Sequence, residues 1–235
     1  MTKSVQILLI SLMSWGAMAQ QTIPSSFRSR RVVKKQSVIL KEEFEQKKLT
    51  WGSPVYLRIF KDKSTLEVWV ETGNAYTRFK EYPICYFSGN LGPKMKEGDR
   101  QAPEGFYEVT PAQLNPKSDY HLSFNLGYPN AYDLAHNYTG SALMVHGNCV
   151  SVGCYAMTDE RIEEIYTLVQ TAFQHGQKVV SVHAFPFEMT EQNLATYIDR
   201  PEYDFWENLR EGYALFVKNA LPPRVNVKDK KYVFE

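Results

Sequence analysis

The residues with the greatest chemical capacity in this chain form one run, Ser141-Ala142-Leu143-Met144-Val145-His146-Gly147-Asn148-Cys149-Val150-Ser151-Val152-Gly153-Cys154. An apolar segment ends at His-Gly, turns, and comes back to Gly-Cys shortly before Thr158, which can cap a helix. Such a turn can bring an imidazole and a thiol within hydrogen-bond reach, as a thiol nucleophile and its base require. A free thiol, with a pKa of about 8.5, is mostly protonated at neutral pH, and a neighbouring imidazolium can lower that value by several units. Gly153 leaves room for a substrate carbonyl beside the backbone, and the Cys154 N–H can donate to an oxyanion. Spacing alone leaves two other readings open. One is a small buried cysteine beside a strand-end histidine. The other is a zinc site from His146, Cys149 and Cys154, which lacks a fourth ligand at metal spacing.

The elements around this run read as α+β. Residues 33–48 fit a 3.6 period and predict an amphipathic helix. Val55, Leu57 and Ile59, then Leu66, Val68 and Val70, alternate with other residues on either side of Lys61-Asp62-Lys63-Ser64, which predicts a two-stranded hairpin. A third strand is expected over 78–88, then an exposed loop over the Gly/Pro/charge-rich stretch 89–103, then strands over 105–110, 121–126 and 141–146. Thr158 predicts the start of a helix with Ile162, Ile165, Tyr166, Val169, Ala172 and Phe173 on one face and Gly176 at its close. A short strand (179–185), two helices (190–200 and 204–218) and an apolar last strand or strap complete the chain.

Composition narrows the setting. Twenty-seven basic residues against 26 acidic ones exert no global pull toward nucleic acid. Arg28, Arg30, Arg31, Lys34 and Lys35 form a local basic cluster, read as a solvated flexible arm ahead of a contact with anionic lipid headgroups or wall polymer. The uncharged apolar run Val5–Ala19 ends in Ala17-Met18-Ala19, which predicts a signal peptide cleaved after Ala19 and hence a periplasmic or otherwise exported protein. No later segment is apolar enough to span a bilayer. Three cysteines cannot all pair within one molecule, so at least one thiol is free or is used between chains, and a leftover Cys in an oxidising compartment invites a chemical explanation. The expected organisation is a leader (1–19), a basic arm and amphipathic helix (20–54), a catalytic domain (55–190) and a C-terminal helical extension and tail (191–235).

The run His146-Gly147 followed by Ser151-Val152-Gly153-Cys154 resembles the signature of the L,D-transpeptidase catalytic-domain (YkuD-like) family, a His-Gly and then Ser-(His)-Gly-Cys. Ala102-Pro103-Glu104-Gly105-Phe106-Tyr107 resembles that family's strand entry, and 83–89 the strand before it. Gly127-Tyr128-Pro129-Asn130-Ala131-Tyr132-Asp133 and His183-Ala184-Phe185-Pro186-Phe187 resemble a branch of which some members detach an outer-membrane lipoprotein from peptidoglycan. Three departures from the main pattern, shared by the branch, bear on substrate. Only four residues separate His146 from Ser151, Val152 stands where a second His is common, and Tyr155-Ala156 replaces an aliphatic-Arg pair.

The resemblance implies a β-rich core of mixed sheets with flanking helices. It makes Cys154 the nucleophile, His146 its base and the Gly147 carbonyl the group that orients the imidazole. It also implies that Ser151 and Gly153 shape the oxyanion site. His121 is expected on a neighbouring strand, lining either the cleft or the core, and Tyr128 and Asn130 either touch substrate or only form a turn. Cys85 and Cys149 are read as structural, paired or buried, and His175 as a helix C-terminal residue; His136 and His183 carry no motif. The implied chemistry is acyl transfer from a peptidoglycan stem peptide through a thioester, without metal or cofactor. Water as acceptor makes the protein an amidase, detaching a wall-linked lipoprotein or cross-link; an amine makes it a transpeptidase. A catalytically silent wall-binding protein is the alternative of another class.

Overall fold

A computed structural model describes residues 22–235; the expected leader and its cleavage point lie outside the described residues. In chain order the elements are α1 (Phe27–Gln46), β1 (Val55–Phe60), β2 (Thr65–Thr72), β3 (Ala75–Pro83), β4 (Tyr86–Phe87), β5 (Gly105–Val109), β6 (Leu114–Asn115), β7 (Ser123–Asn125) and α2 (Ala131–Ala135). They continue with β8 (Met144–His146), β9 (Tyr155–Ala156), α3 (Asp159–Gln174), β10 (Val180–Phe185), α4 (Glu191–Ala195), α5 (Tyr203–Asn219), β11 (Val225–Lys228) and β12 (Lys231–Phe234). The fold is α+β. Among the described residues it has two mixed five-stranded sheets, β3-β2-β1-β10-β5 and β4-β9-β8-β7-β6, and a terminal hairpin, β11-β12.

The expected hairpin forms, with Leu57 opposite Val68. β10 then inserts parallel to β1, with Leu57 beside Val182, so β1 is central and buried at every position. One face of this sheet carries Leu57, Ile59, Val68 and Val182 into the main core. The other meets α5, where the Tyr56 and Phe216 rings lie 4.8 Å apart. Arg58 alternates as a polar residue should on that face, yet it is buried. Glu67 receives its guanidinium at 2.8 Å, and Trp69 and Phe216 stack against it.

Helix α3 follows its sequence signals. The Thr158 side chain accepts from the Arg161 N–H, the named apolar face is buried, and Gly176 sits at positive φ beyond the end. Helix α1 begins at Phe27, earlier than the period suggests, because Ser26 and Ser29 form a reciprocal cap. The basic cluster therefore lies on the first turns of a helix. Arg28 donates to the carbonyls of Ser118 and His121, at 2.9 and 2.6 Å, and so is tied to the chain just before β7.

Two other expectations are corrected. The single strand over 78–88 is two, and they belong to different sheets. The Ile84 N–H donates to Ser64 in the turn of the first sheet, whereas the next N–H, of Cys85, donates to Ala156 in the second. The stretch 89–103 is not a free loop, because Gly92, Lys94 and Ala102 are buried in it. Lys61, wholly buried, donates to the Gly92 and Ala102 carbonyls and pairs with the buried Glu104 at 2.8 Å. Glu104 also accepts from the Gly92 N–H and from the Trp206 indole on α5. A buried carboxylate with these donors is a satisfied group that clamps the loop between the first sheet and the C-terminal helix.

Candidate active site

His146 is the last residue of β8, and Cys154 immediately precedes β9. The chain between them does not come back as a hairpin. β8 and β9 are parallel neighbours, with Val145 beside Tyr155 and His146 beside Ala156. Extending that register by one residue sets Cys154 beside Met144, two positions before His146. Side chains two apart on a strand share a face, so thiol and imidazole project from the same side of the sheet as diagonal neighbours.

The imidazole is held at one nitrogen. Its Nδ1 lies 2.6 Å from the Gly147 carbonyl, which fixes Nδ1 as the protonated position and leaves Nε2 with its lone pair. Nε2 is buried and has no hydrogen-bond partner. Burial pushes the His146 pKa below its ordinary value, offset in part by the bond to Gly147. Gly147 itself is squeezed. A Cβ there would fall 2.6 Å from Asp159 Oδ1 and 3.0 Å from both Ile162 Cγ2 and the Tyr120 carbonyl. Asp159, at the start of α3, also accepts from the Asn148 N–H at 2.8 Å, so the helix end braces the turn leaving β8.

The thiol is half-buried and is the free cysteine of the chain, because Cys85 and Cys149 form a disulfide. That bond removes Cys149 as a thiolate ligand and with it the three-residue zinc site. The Met144 N–H points at Sγ, 3.4 Å away, and the Ala142 carbonyl lies 3.8 Å from it. Burial pushes the thiol pKa up, while the Met144 N–H and the Lys94 ammonium pull it back. The two shifts together favour a neutral thiol beside a neutral imidazole at rest, not the ion pair the spacing suggested.

Ser151 and Gly153 shape the turn before the thiol. The Ser151 hydroxyl donates to the Cys154 carbonyl at 2.7 Å and accepts from the Gly153 N–H at 3.2 Å. Ser151 therefore pins the chain that leads into the thiol. Gly153 has φ +125°, where a side chain would be strained, and it packs on the Gln101 carbonyl of the 89–103 segment. Val152 beside it is 73% exposed and puts an apolar rim where the family often has a second histidine.

The other candidates disperse. His121 has a positive φ, and its Nε2 lies 3.0 Å from Glu163 on α3, so it is engaged by the helix. Its neighbour Tyr120, not singled out in the sequence, lies with its ring 4.7 Å from that of His146 and tilted 39° to it. Tyr128 is buried, with its hydroxyl 3.2 Å from the Lys94 carbonyl and 3.3 Å from that of Thr139, so it ties two loop segments together. Asn130 caps α2 and donates to Tyr232 at 2.8 Å. His183 is wholly buried and bonded to the Tyr56 hydroxyl at 2.7 Å. His175 caps the end of α3, as read. Lys94 was missed; only its burial among loop residues marks it.

Two mixed sheets that hold a half-buried thiol and an imidazole with one free nitrogen on a common face suit a cysteine-dependent acyl-transfer protein. The chain belongs to the YkuD family: residues 54–182 match its L,D-transpeptidase catalytic domain. Membership places it among the cysteine enzymes of peptidoglycan. It is 47% identical over 189 residues to YafK of Escherichia coli (strain K12), provisionally named an L,D-transpeptidase, with 80% of this chain and 77% of that one covered. YafK of Escherichia coli O157:H7 matches to the same extent. Among solved structures, the helical cell shape determining protein Pgp2 from Campylobacter jejuni is similar at a TM-score of 0.47 and 19% identity, over 77% of this chain and 75% of that chain. Bd1075 of Bdellovibrio bacteriovorus is similar at a TM-score of 0.41 and 17% identity, over 77% and 84%.

Proposed function

We propose that this chain is an exported, periplasmic cysteine amidase that cleaves the bond between the diamino acid of a peptidoglycan stem peptide and a wall-attached lipoprotein or cross-link. The observation that carries this reading is the unpartnered, buried Nε2 of His146 on the sheet face that Cys154 shares. A buried acceptor without a donor is costly, and a site that waits for a proton is where that cost has a use.

Nε2 takes the thiol proton as Sγ bonds to the carbonyl carbon, and the Cys154 N–H receives the oxyanion. As the C–N bond breaks, His146 returns the proton to the departing amine, leaving a thioester and neutral imidazole. Water then attacks with Nε2 as base, and release of the carboxylate restores the thiol. Burial serves both halves, since a base kept neutral near pH 7 can accept a proton in each.

Access for water supports hydrolysis. The link from His146 to Ser151 is short, the thiol is half-exposed, and no Arg follows Cys154 to grip an acceptor-side carboxylate. Transpeptidation is the second reading, favoured by the provisional name of the 47% identical relative. Incubation with sacculi bearing covalently attached lipoprotein, followed by mass spectrometry, tests both. The amidase reading expects released protein with its terminal lysine intact and little diversion by added free amine. New cross-linked dimers from tetrapeptide donors, without free product, would overturn it.

A further inference from the structure

Lys94 lies in a segment whose composition reads as loop, yet the residue is only 4% exposed. Its ammonium donates to Asp99 Oδ1 at 2.5 Å and to the Lys96 carbonyl at 2.9 Å, which leaves one of its three protons over. The Tyr128 ring lies beneath it at 5.9 Å. Gly140 lies against its stem, where a Cβ would fall 2.9 Å from Cε, and two residues further on the Ala142 carbonyl touches the Cys154 thiol at 3.8 Å. The 140–142 strip thus touches the Lys94 stem at one end and the Cys154 thiol at the other.

Packing does not account for a charge at this place. The loop is already closed without it: Asp99 accepts from the N–H groups of Met95, Lys96 and Gln101, and the Gln101 side chain bonds Asn90 and Gly92. An apolar side chain would fill the same space without the desolvation cost of a buried cation. The other buried ammonium, Lys61, is spent on Glu104. Burial pushes His146 toward its neutral form, and the Lys94 ammonium is a positive charge that pulls the Cys154 thiol pKa down.

We propose that Lys94, oriented by Asp99, is a positioning residue that stabilises negative charge on Cys154 and on the oxyanion formed there. It transfers no proton; it supplies a permanent potential in a site of low dielectric, where a fixed cation acts more strongly than in water. The charged and titratable groups facing the thiol region are His146 on β8, Lys94 and Asp99 in the loop, the Tyr128 phenol beneath Lys94, and Tyr120 and Asp159 around the imidazole.

The inference rests on Cys154 as the reacting thiol, and the test keeps the two apart. Iodoacetamide labelling of Cys154 in the mature protein is followed against pH by mass spectrometry, beside kcat and KM for fragment release from sacculi. Lys94→Met should move the labelling midpoint up by about one unit, the low end for a nearby charge. It should lower kcat about tenfold at unchanged KM, with Lys94→Arg restoring most of both. Asp99→Asn, which frees the ammonium from its counter-charge, should move the midpoint down. Opposite shifts are the signature of electrostatics, and a merely structural loop would move both variants the same way. An unchanged midpoint in Lys94→Met, shifts of one sign in both variants, or a rise in KM alone would overturn the proposal. If Lys94→Met does not fold, the Asp99→Asn shift decides alone: downward supports, none or upward overturns. A Cys154→Ala protein that kept its activity would instead remove the nucleophile assignment, and this proposal with it.

Discussion

The two five-stranded sheets are unequal. Strands of the first run from five to nine residues, and those of the second are two or three residues long. The first is held by long ladders, with its central strand β1 buried on both faces. The second carries Cys154 and His146, yet its own ladders are too short to hold a geometry. Ties beyond the ladders hold it: the Cys85–Cys149 disulfide within its own segments, and from outside the Asp159 brace to Asn148 and the Tyr155 hydroxyl on the Pro103 carbonyl at 2.6 Å. On the proposed function, stability and chemistry are thus separated between sheets, and the sheet with the short ladders is held by ties beyond them.

If that separation holds, damage to each sheet should read out differently. The largest effect is expected from Cys154→Ala, which should leave no detectable fragment release while the unfolding midpoint stays within about 1 °C. His146→Ala should come close to it, since in the proposed mechanism nucleophile and base act as a unit and their losses do not add. Leu57→Ala, in the centre of the first sheet, should cost about 2–5 kcal/mol in urea unfolding, as core truncations do. Labelling of Cys154 in the protein that remains folded should not change, and a large change would join the two sheets into one mechanical unit.

The paired substitution Cys85→Ser with Cys149→Ser should cost about 2–4 kcal/mol, in line with loss of a native disulfide. It should also slow fragment release on the order of tenfold or more, because it loosens the turn that carries Asn148 next to the imidazole. Unimpaired release from the double variant would show that the short sheet does not depend on this tie.

Acid supplies the gentlest probe. Burial, and secondarily the Arg58 guanidinium, pushes the His183 pKa in the first sheet down to about 3, against about 6.5 in an unfolded chain. The unfolded state therefore binds the proton first as pH falls. The contribution of neutral His183 is complete above about pH 6.5 and is lost progressively between there and pH 3. Chemical denaturation across that window should show the decline, and His183→Gln should flatten it. In the second sheet, the depressed His146 pKa predicts an acid limb of kcat/KM with its midpoint below about 6.5. A midpoint above that value would contradict a base buried in neutral form.

Legibility followed the same division. The β1–β2 hairpin and α3 could be read because long elements repeat their period, and α3 has Thr158 and Gly176 at its ends. β4, β6 and β9 could not, since two residues show no period, and the switch between sheets at Ile84 and Cys85 is a matter of which carbonyl is nearest. The start of α1 was misplaced because a reciprocal serine cap followed by basic residues resembles a solvated arm.

By itself the sequence determined which groups are available for chemistry, one thiol left over from a pair and one His-Gly at a strand end, and the motif order that marks the family. Those are properties of residue type and spacing. Only the tertiary structure decided that β8 and β9 run parallel, that Cys85 pairs with Cys149, that His146 keeps a bare Nε2, and that a lysine from an apparent loop is buried against the strip that touches the thiol. Protonation and reactivity depend on burial and on partners far apart in the chain, and packing alone brings those together.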